Sequence, residues 1–252
     1  MKKDLIVHES PKSPVSEAVR LLRTNLSFLA PHKKSKVFLI TSSMPGEGKS
    51  WITANLAISF AQTNKKVLII DADLRKGRQH TIFGCTNNVG LSNFLNDAAV
   101  TDDDEIKDEM LMKAMSATDI PNLFILAAGV VPPNPSELLG SESLDYLISV
   151  ATESFDIVIF DMPPVSIVAD SLVICKKVDF VVLVSASNIT KKDVLLNSKK
   201  SIEHVGGKIA GVVLNMVPIE KRKEYTKYYS KYAETSLQIE DNNLAHSRKR
   251  RG

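Results

Sequence analysis

Short apolar runs alternate with helical patterns along most of the chain, and this alternation limits the fold more than any other feature. The runs lie at residues 36–42, 67–71, 123–127, 156–161, 180–185 and 209–215. Each is rich in Val, Ile, Leu or Phe and is bounded by polar or turn residues. Continuous apolar runs of this length suit strands buried on both faces. Helical patterns fall between them at residues 50–63, 141–152, 170–176 and 191–204. Strand–helix alternation predicts an α/β fold, a mostly parallel sheet with helices on both faces. Residues 16–29 predict a further helix outside this core, with Ser16 as N-cap, Glu17 in the first turn and Pro31 ending it. After Asn215 the strand pattern stops and a polar, charged tail begins, holding four of the five tyrosines: Tyr225, Tyr228, Tyr229 and Tyr232.

The chain has 252 residues, 44% hydrophobic and 24% charged, which excludes a wholly disordered or fibrous protein. Its two cysteines, Cys85 and Cys175, are too few for a disulfide framework and read as thiols of a reducing compartment. No apolar run approaches the ~20 residues of a membrane span; the best, residues 180–186, is a strand's length. The start, Met1-Lys2-Lys3-Asp4, lacks the apolar stretch of a signal peptide, so a cytoplasmic location is expected. The net charge of +3 is unevenly placed. Residues 220–252 carry nine Lys/Arg against five Asp/Glu, leaving 23 against 24 for the rest. A near-neutral body gives no reason to expect nucleic-acid binding. The terminal Arg248-Lys249-Arg250-Arg251 reads as a solvated end, with contact to anionic lipid or nucleic acid as the alternative.

Between the first strand and its helix the chain reads Thr41-Ser42-Ser43-Met44-Pro45-Gly46-Glu47-Gly48-Lys49-Ser50, followed by Trp51. Gly48-Lys49-Ser50 ends a Walker A loop, in which glycines let backbone N–H groups turn inward around a phosphate at a helix N-terminus. Lys49 would reach the β/γ-phosphates and the Ser50 hydroxyl would bind Mg²⁺. The loop has Ser43 where the standard pattern has Gly, and Gly46 supplies flexibility instead. Two strand ends are acidic: Asp71 and Asp73 close one, with Arg75 two residues on, and Asp161 closes another, before Met162-Pro163-Pro164. Carboxyl ends of parallel strands share one edge, where ligands bind. Three carboxylates beside a triphosphate call for a hard cation with oxygen ligands, Mg²⁺; each Asp taken singly could instead cap a strand or turn. Asn215, after the last strand, could pair with an adenine edge or simply form a turn. Arg75 could anchor the carboxylates, stabilise transferred charge, or make a surface salt bridge.

Together these motifs resemble the bacterial tyrosine kinases (BY-kinases) of the capsular and exopolysaccharide family, of the Gram-positive type that is split between two chains. The resemblance spans nearly the whole sequence. It rests on Pro45 to Ser50; on Asp71, Asp73 and Arg75; on Asp161, Pro163 and Pro164; on Pro132 to Leu139; on Glu17, Arg20, Arg23, Thr24 and Asn25; and on the tyrosine cluster. It implies a P-loop fold, ATP and Mg²⁺, and phosphorylation of the tail tyrosines in trans. It also implies an oligomer, a ring being expected, with Glu17, Arg20 and Arg23 at the subunit interface. A separate transmembrane activator, a polysaccharide co-polymerase, would hold the chain at the inner membrane face, and a cognate tyrosine phosphatase and other protein substrates would complete the system. Phosphate loop residues 43–51 and Asn215 become the ATP-binding set, with Lys49, Asp71, Asp73, Arg75 and Asp161 catalytic. Ser50, Asp71, Asp73 and Asp161 become the metal set, and Asp71 the candidate base. The implied organisation is an N-terminal segment (1–35), a kinase core (36–219) and a flexible tail (220–252). Partitioning and division-site ATPases share the superfamily and are the alternative, a switch ATPase without phosphotransfer. They carry an extra lysine five positions before the Walker A lysine, where this chain has Met44.

The tail tyrosines fall at i, i+3, i+4, i+7, which also fits a helical stripe packed on the body. No Leu, Ile or Val joins the stripe, so a phosphoacceptor tail is the expectation. The acidic run Asp102-Asp103-Asp104-Glu105 predicts a helix start in solvent.

Overall fold

The fold was obtained as a computed structural model, which describes residues 4–218. The tail, with Tyr225, Tyr228, Tyr229 and Tyr232 and the 220–252 segment, lies outside the described residues. Helices α1 (Ile6–Glu9) and α2 (Pro14–Ser27) precede strand β1 (Lys36–Ser42) and α3 (Lys49–Ala61). There follow β2 (Val67–Asp71), α4 (Gln79–Phe83), α5 (Leu91–Ala98), α6 (Asp104–Ala114), β3 (Met115–Ala117), β4 (Leu123–Leu126), α7 (Pro135–Leu139) and α8 (Glu142–Ser154). The described chain closes with β5 (Ile157–Asp161), α9 (Asp170–Cys175), β6 (Phe180–Ala186), α10 (Lys192–His204) and β7 (Ile209–Asn215).

The strands form one sheet in the order β3-β4-β2-β5-β1-β6-β7. Neighbours pair in parallel, except that β3 runs antiparallel to β4 at one edge. Every residue of β2 and β5 is buried, which explains their unbroken apolar character. Side chains alternate between two cores. On one face Phe38, Ile40, Ile69, Ile159 and Val182 meet α1 to α4; on the other Leu39, Leu68, Phe160 and Leu183 meet α5, α6 and α8 to α10. Helix α3 is buried at eleven of its thirteen positions because α1 and α2 lie across it. Asn55 of α3 ties them down, accepting from the Val7 amide at 3.1 Å and donating to the Asp4 carbonyl at 2.7 Å. Cys85 and Cys175 lie in opposite cores and are not joined.

Two expectations need correction. The N-cap of α2 is Ser13, whose hydroxyl accepts from the Ser16 amide; Ser16 is buried in the first turn, its hydroxyl donating to the Ser10 carbonyl at 2.7 Å. Capping thus begins one turn earlier, with Pro14 at the first helical position, where its missing N–H costs nothing. The helix stops at Ser27, before Pro31, and Ala30 then adopts φ 45° to turn the chain toward β1. Strand β3 carries no sequence pattern, having three residues at an exposed edge. The acidic run behaves as expected: Asp103 caps α6, accepting from the Glu105 and Ile106 amides.

Candidate active site

The loop between β1 and α3 turns on two glycines in the left-handed region, Gly46 (φ 82°) and Gly48 (φ 88°). A Cβ at Gly48 would lie 2.2 Å from the Asn215 amide nitrogen, so no other residue fits there without displacing Asn215. That nitrogen donates to the Glu47 carbonyl at 2.9 Å, joining the end of β7 to the loop. Glu47 is almost wholly buried. Its carboxylate accepts from the Met44 amide at 2.7 Å and from the Thr190 hydroxyl after β6. The loop is therefore held from both sides before any ligand enters. Ser43 is buried in the place of the usual glycine, and its carbonyl accepts from Ser166. Met44 and Pro45 are exposed, while Trp51 packs its side chain against the core around α3.

Asp71 and Asp161 end neighbouring strands and are paired in register. Both are inaccessible to solvent, and Asp73 is nearly so. Lys49 reaches across from α3, its Nζ 2.9 Å from Asp73 Oδ2 and 3.8 Å from Asp161 Oδ1. Gln79, unmarked in the sequence, braces the group. Its backbone N–H donates to Asp71 Oδ2 at 2.8 Å, and its side-chain amide donates to Asp161 Oδ2 at 2.8 Å and the Ser50 carbonyl at 3.0 Å. Burial pushes the Lys49 ammonium down, but Asp161, Asp73 and Asp71 outweigh it and the balance lies above the ordinary lysine value. Asp71 moves up, well above the usual carboxylate range, first through burial and then through repulsion by Asp161.

One oxygen on each of Asp71 and Asp161 (Oδ1 in both) is buried without a hydrogen-bond partner. Such an oxygen is costly unless a cation or water meets it. Hard oxygen donors beside a phosphate-binding lysine fit Mg²⁺. Among the described residues no three His, Cys, Asp or Glu side chains are grouped so that they alone could hold a metal ion.

Arg75 stands apart from the carboxylates expected to engage it. Its guanidinium makes a bidentate pair with Asp170, Nε to Oδ2 at 2.8 Å and Nη2 to Oδ1 at 3.1 Å, so it braces the start of α9. Asp170 also accepts from Ser136 and is fully buried. Neither it nor Gln79 forms part of a motif that spacing alone would reveal; Gln79 lies within a polar stretch, Arg78-Gln79-His80-Thr81, that offers no signal. The proposed interface residues are engaged within the chain: Arg20 pairs with Glu17 and donates to the Pro11 carbonyl, and Arg23 donates to the Ser59 carbonyl of α3.

Residues 33–244 match a ParA family model described as a NUBPL iron-transfer P-loop NTPase. The chain is 39% identical over 231 residues to tyrosine-protein kinase YwqD of Bacillus subtilis, covering 92% of this chain and 93% of that one. It is 36% identical to tyrosine-protein kinase etk of Escherichia coli over 83% of its own length, which spans 27% of that larger protein. The crystal structure of the chimerical protein CapA2B2 superposes with a TM-score of 0.77 at 42% identity, covering 85% of this chain and 90% of that one. The kinase domain of the Escherichia coli tyrosine kinase ETK does so with a TM-score of 0.77 at 33% identity, covering 84% and 80%. The Mg-ADP complex of the septum site-determining protein MinD from Pyrococcus horikoshii, at 22% identity and a TM-score of 0.57, shares the fold alone. A nucleotide-binding P-loop with an acidic, lysine-bridged strand edge, in a sequence aligned with YwqD almost end to end, leads to one conclusion: the chain belongs to the bacterial tyrosine kinases of capsule and exopolysaccharide biosynthesis.

Proposed function

We propose that the chain transfers the γ-phosphate of ATP to Tyr225, Tyr228, Tyr229 and Tyr232 on a neighbouring copy, and that this cycle regulates polysaccharide synthesis and export. The observation that carries the reading is the pair of buried carboxylate oxygens without a hydrogen bond, one on Asp71 and one on Asp161, beside the Lys49 loop. Mg²⁺, when bound, supplies positive charge between phosphate oxygens and carboxylates. Ser50, Asp73 and Asp161 would hold it or its waters, with Asp71 at the edge of the shell. Lys49 would turn from Asp73 toward phosphate, and the loop amides would cradle the rest. An acceptor phenol has an ordinary pKa of about 10. Asp71, made more basic by burial, is the group to orient that hydroxyl and take its proton. Asn215, with its amide nitrogen on Glu47, still offers its carbonyl oxygen to an adenine edge.

Transfer between copies needs an assembly, for which α2 with Glu17, Arg20 and Arg23 is the proposed contact, closing as a ring. No helix among the described residues is long and apolar enough to cross a membrane. In this reading a separate transmembrane activator, the polysaccharide co-polymerase, recruits the chain to the inner membrane face, and a tyrosine phosphatase reverses the modification. The test is incubation of full-length protein with Mg-ATP, with and without the activator's cytoplasmic segment, followed by mass spectrometric mapping. Phosphate on the four tail tyrosines is expected. ATP hydrolysis with activator present but no phosphotyrosine would favour the switch ATPase.

A further inference from the structure

The loop from β2 to α4 passes over the buried carboxylates and is clamped to them. The Lys76 amide donates to Asp73 Oδ1 at 3.0 Å, and the Gln79 amide donates to Asp71 Oδ2 at 2.8 Å. A Cβ at Gly77 would lie 2.9 Å from Asp71 Oδ2 and 2.6 Å from the Ala128 Cβ, so the backbone abuts Asp71 there. Lys76 and Arg78 flank that glycine and both are exposed. Arg75 is spent on Asp170, but among the described residues neither Lys76 nor Arg78 has a carboxylate partner. Two unpaired cations thus stand one residue either side of the point where the loop meets Asp71.

Their charge is wrong for the unmodified acceptor. Residues 220–234 carry five Lys/Arg against three Glu, and two further cations repel such a segment. Glu224 precedes Tyr225 and Glu234 lies two after Tyr232, but no acid lies between Tyr225 and Tyr232. The inner tyrosines, Tyr228 and Tyr229, therefore gain a close anion only when a neighbour is phosphorylated, which adds about −1.5 to −2 charges. A spacing of three or four residues separates two such side chains by about 10–14 Å in an extended segment.

We propose that Lys76 and Arg78 form an anion subsite that takes a phosphotyrosine already on the incoming tail of a second copy, so that one modification promotes the next. The inference rests on the kinase reading above. Recognition would follow the usual pairing of phosphate oxygens with guanidinium and ammonium donors. It orders the cluster: Tyr225 or Tyr232, each with its own glutamate, is modified before Tyr228 and Tyr229.

The test uses the full-length kinase with Mg-ATP and a synthetic peptide of residues 220–236 carrying Tyr228→Phe and Tyr232→Phe, which leaves Tyr229 as acceptor. Position 225 is either Tyr225→Phe or phosphotyrosine. The primed peptide should react about tenfold more efficiently, the worth of one good charge-assisted contact. In the double variant Lys76→Ala with Arg78→Ala the two peptides should become alike, with ATP hydrolysis and the unprimed rate as in the parent. The charge-conserving Lys76→Arg should keep the preference. A parent that treats both peptides equally overturns the proposal, as does a preference that survives the double variant. Equal loss on both peptides and in ATP hydrolysis would assign the cations to the reacting phosphate and overturn it too. A parent that phosphorylates neither peptide nor its own tail, with activator present, refutes the kinase reading itself.

Discussion

Replacing Lys49 with Met removes the cation that separates Asp73 from Asp161. Buried carboxylates left without it cost about 3 kcal/mol, and phosphotransfer should fall at least about a hundredfold. Thermal melts should show a lowered transition that Mg²⁺ partly restores, because the ion replaces the missing charge. Near-normal activity in that variant would remove Lys49 from the mechanism. Asp170 allows a pH test away from the reacting centre. Burial raises its pKa, but hydrogen bonds from Arg75 and Ser136 outweigh that and leave it below the ordinary aspartate value. Its stabilisation is therefore fully present above the unfolded pKa of about 4 and is lost as pH falls through the lower folded value. Asp170→Asn should destabilise by about 1–2 kcal/mol at neutral pH, given that Arg75 is two-fifths exposed. Denaturant titrations should show parent and variant converging below pH of about 4; a gap that stays constant would mean packing, not charge. Lys49, Ser50, Asp71, Asp73 and Asp161 were legible in the sequence because phosphate chemistry fixes their spacing. Gln79 and Asp170 were not, nor was the contact of Glu47 with Thr190, because each acts through a partner dozens of residues away that only the fold brings near.

Among the elements, strands were legible and short helices were not. β1, β2 and β7 match their apolar runs end to end; β1 and β2 lie buried between helix layers, whereas β7, at the sheet edge, keeps an apolar run while partly exposed. α1, α4 and α7 have four or five residues each, too few to show a period. α5 was missed because its start has no Ser, Thr or Asp cap; instead Asn93 accepts from the Gly90 amide. Helix α2 is the element with an unexplained outer face. Leu21 is 51% exposed and Phe28, one heptad on, 76%. An apolar stripe beside Glu17 and Arg20 is the surface expected of a subunit contact. Changing Glu17, Arg20 and Arg23 together to Ala should weaken self-association about tenfold or more, and Leu21→Ser with Phe28→Ser should do the same without touching the ion pair. Light scattering at matched nucleotide and activator is the check; unchanged mass in both variants would place the interface elsewhere.

For the whole molecule, the contrast between a near-neutral body and a basic tail sets the direction of the cycle. Four phosphates would add roughly −6 to −8 charges to a segment whose Lys/Arg exceed its Asp/Glu by four. In the proposed cycle a tail with all four phosphates would outweigh the two cations Lys76 and Arg78 and be repelled by Asp71, Asp73 and Asp161, so an assembly held partly by tail-to-site contacts should loosen. Sedimentation before and after ATP should show dissociation in the parent, while a variant with all four tail tyrosines changed to Phe stays assembled and still binds ATP. Equal dissociation of both would make nucleotide turnover the cause. The burial of α3 on nearly every side bears on what nucleotide binding costs. Lys49 and Ser50, which end the phosphate loop, open the first turn of that helix, and contacts of Glu47 with Met44 and Asn215 fix the residues before them. Amide hydrogens of α3 should exchange with solvent only when the domain unfolds globally, at the slow end of its range. A loop so rigid loses little conformational entropy when phosphate arrives. The free energy of binding is then available to turn one lysine side chain away from Asp73, and ordering the loop consumes little of it.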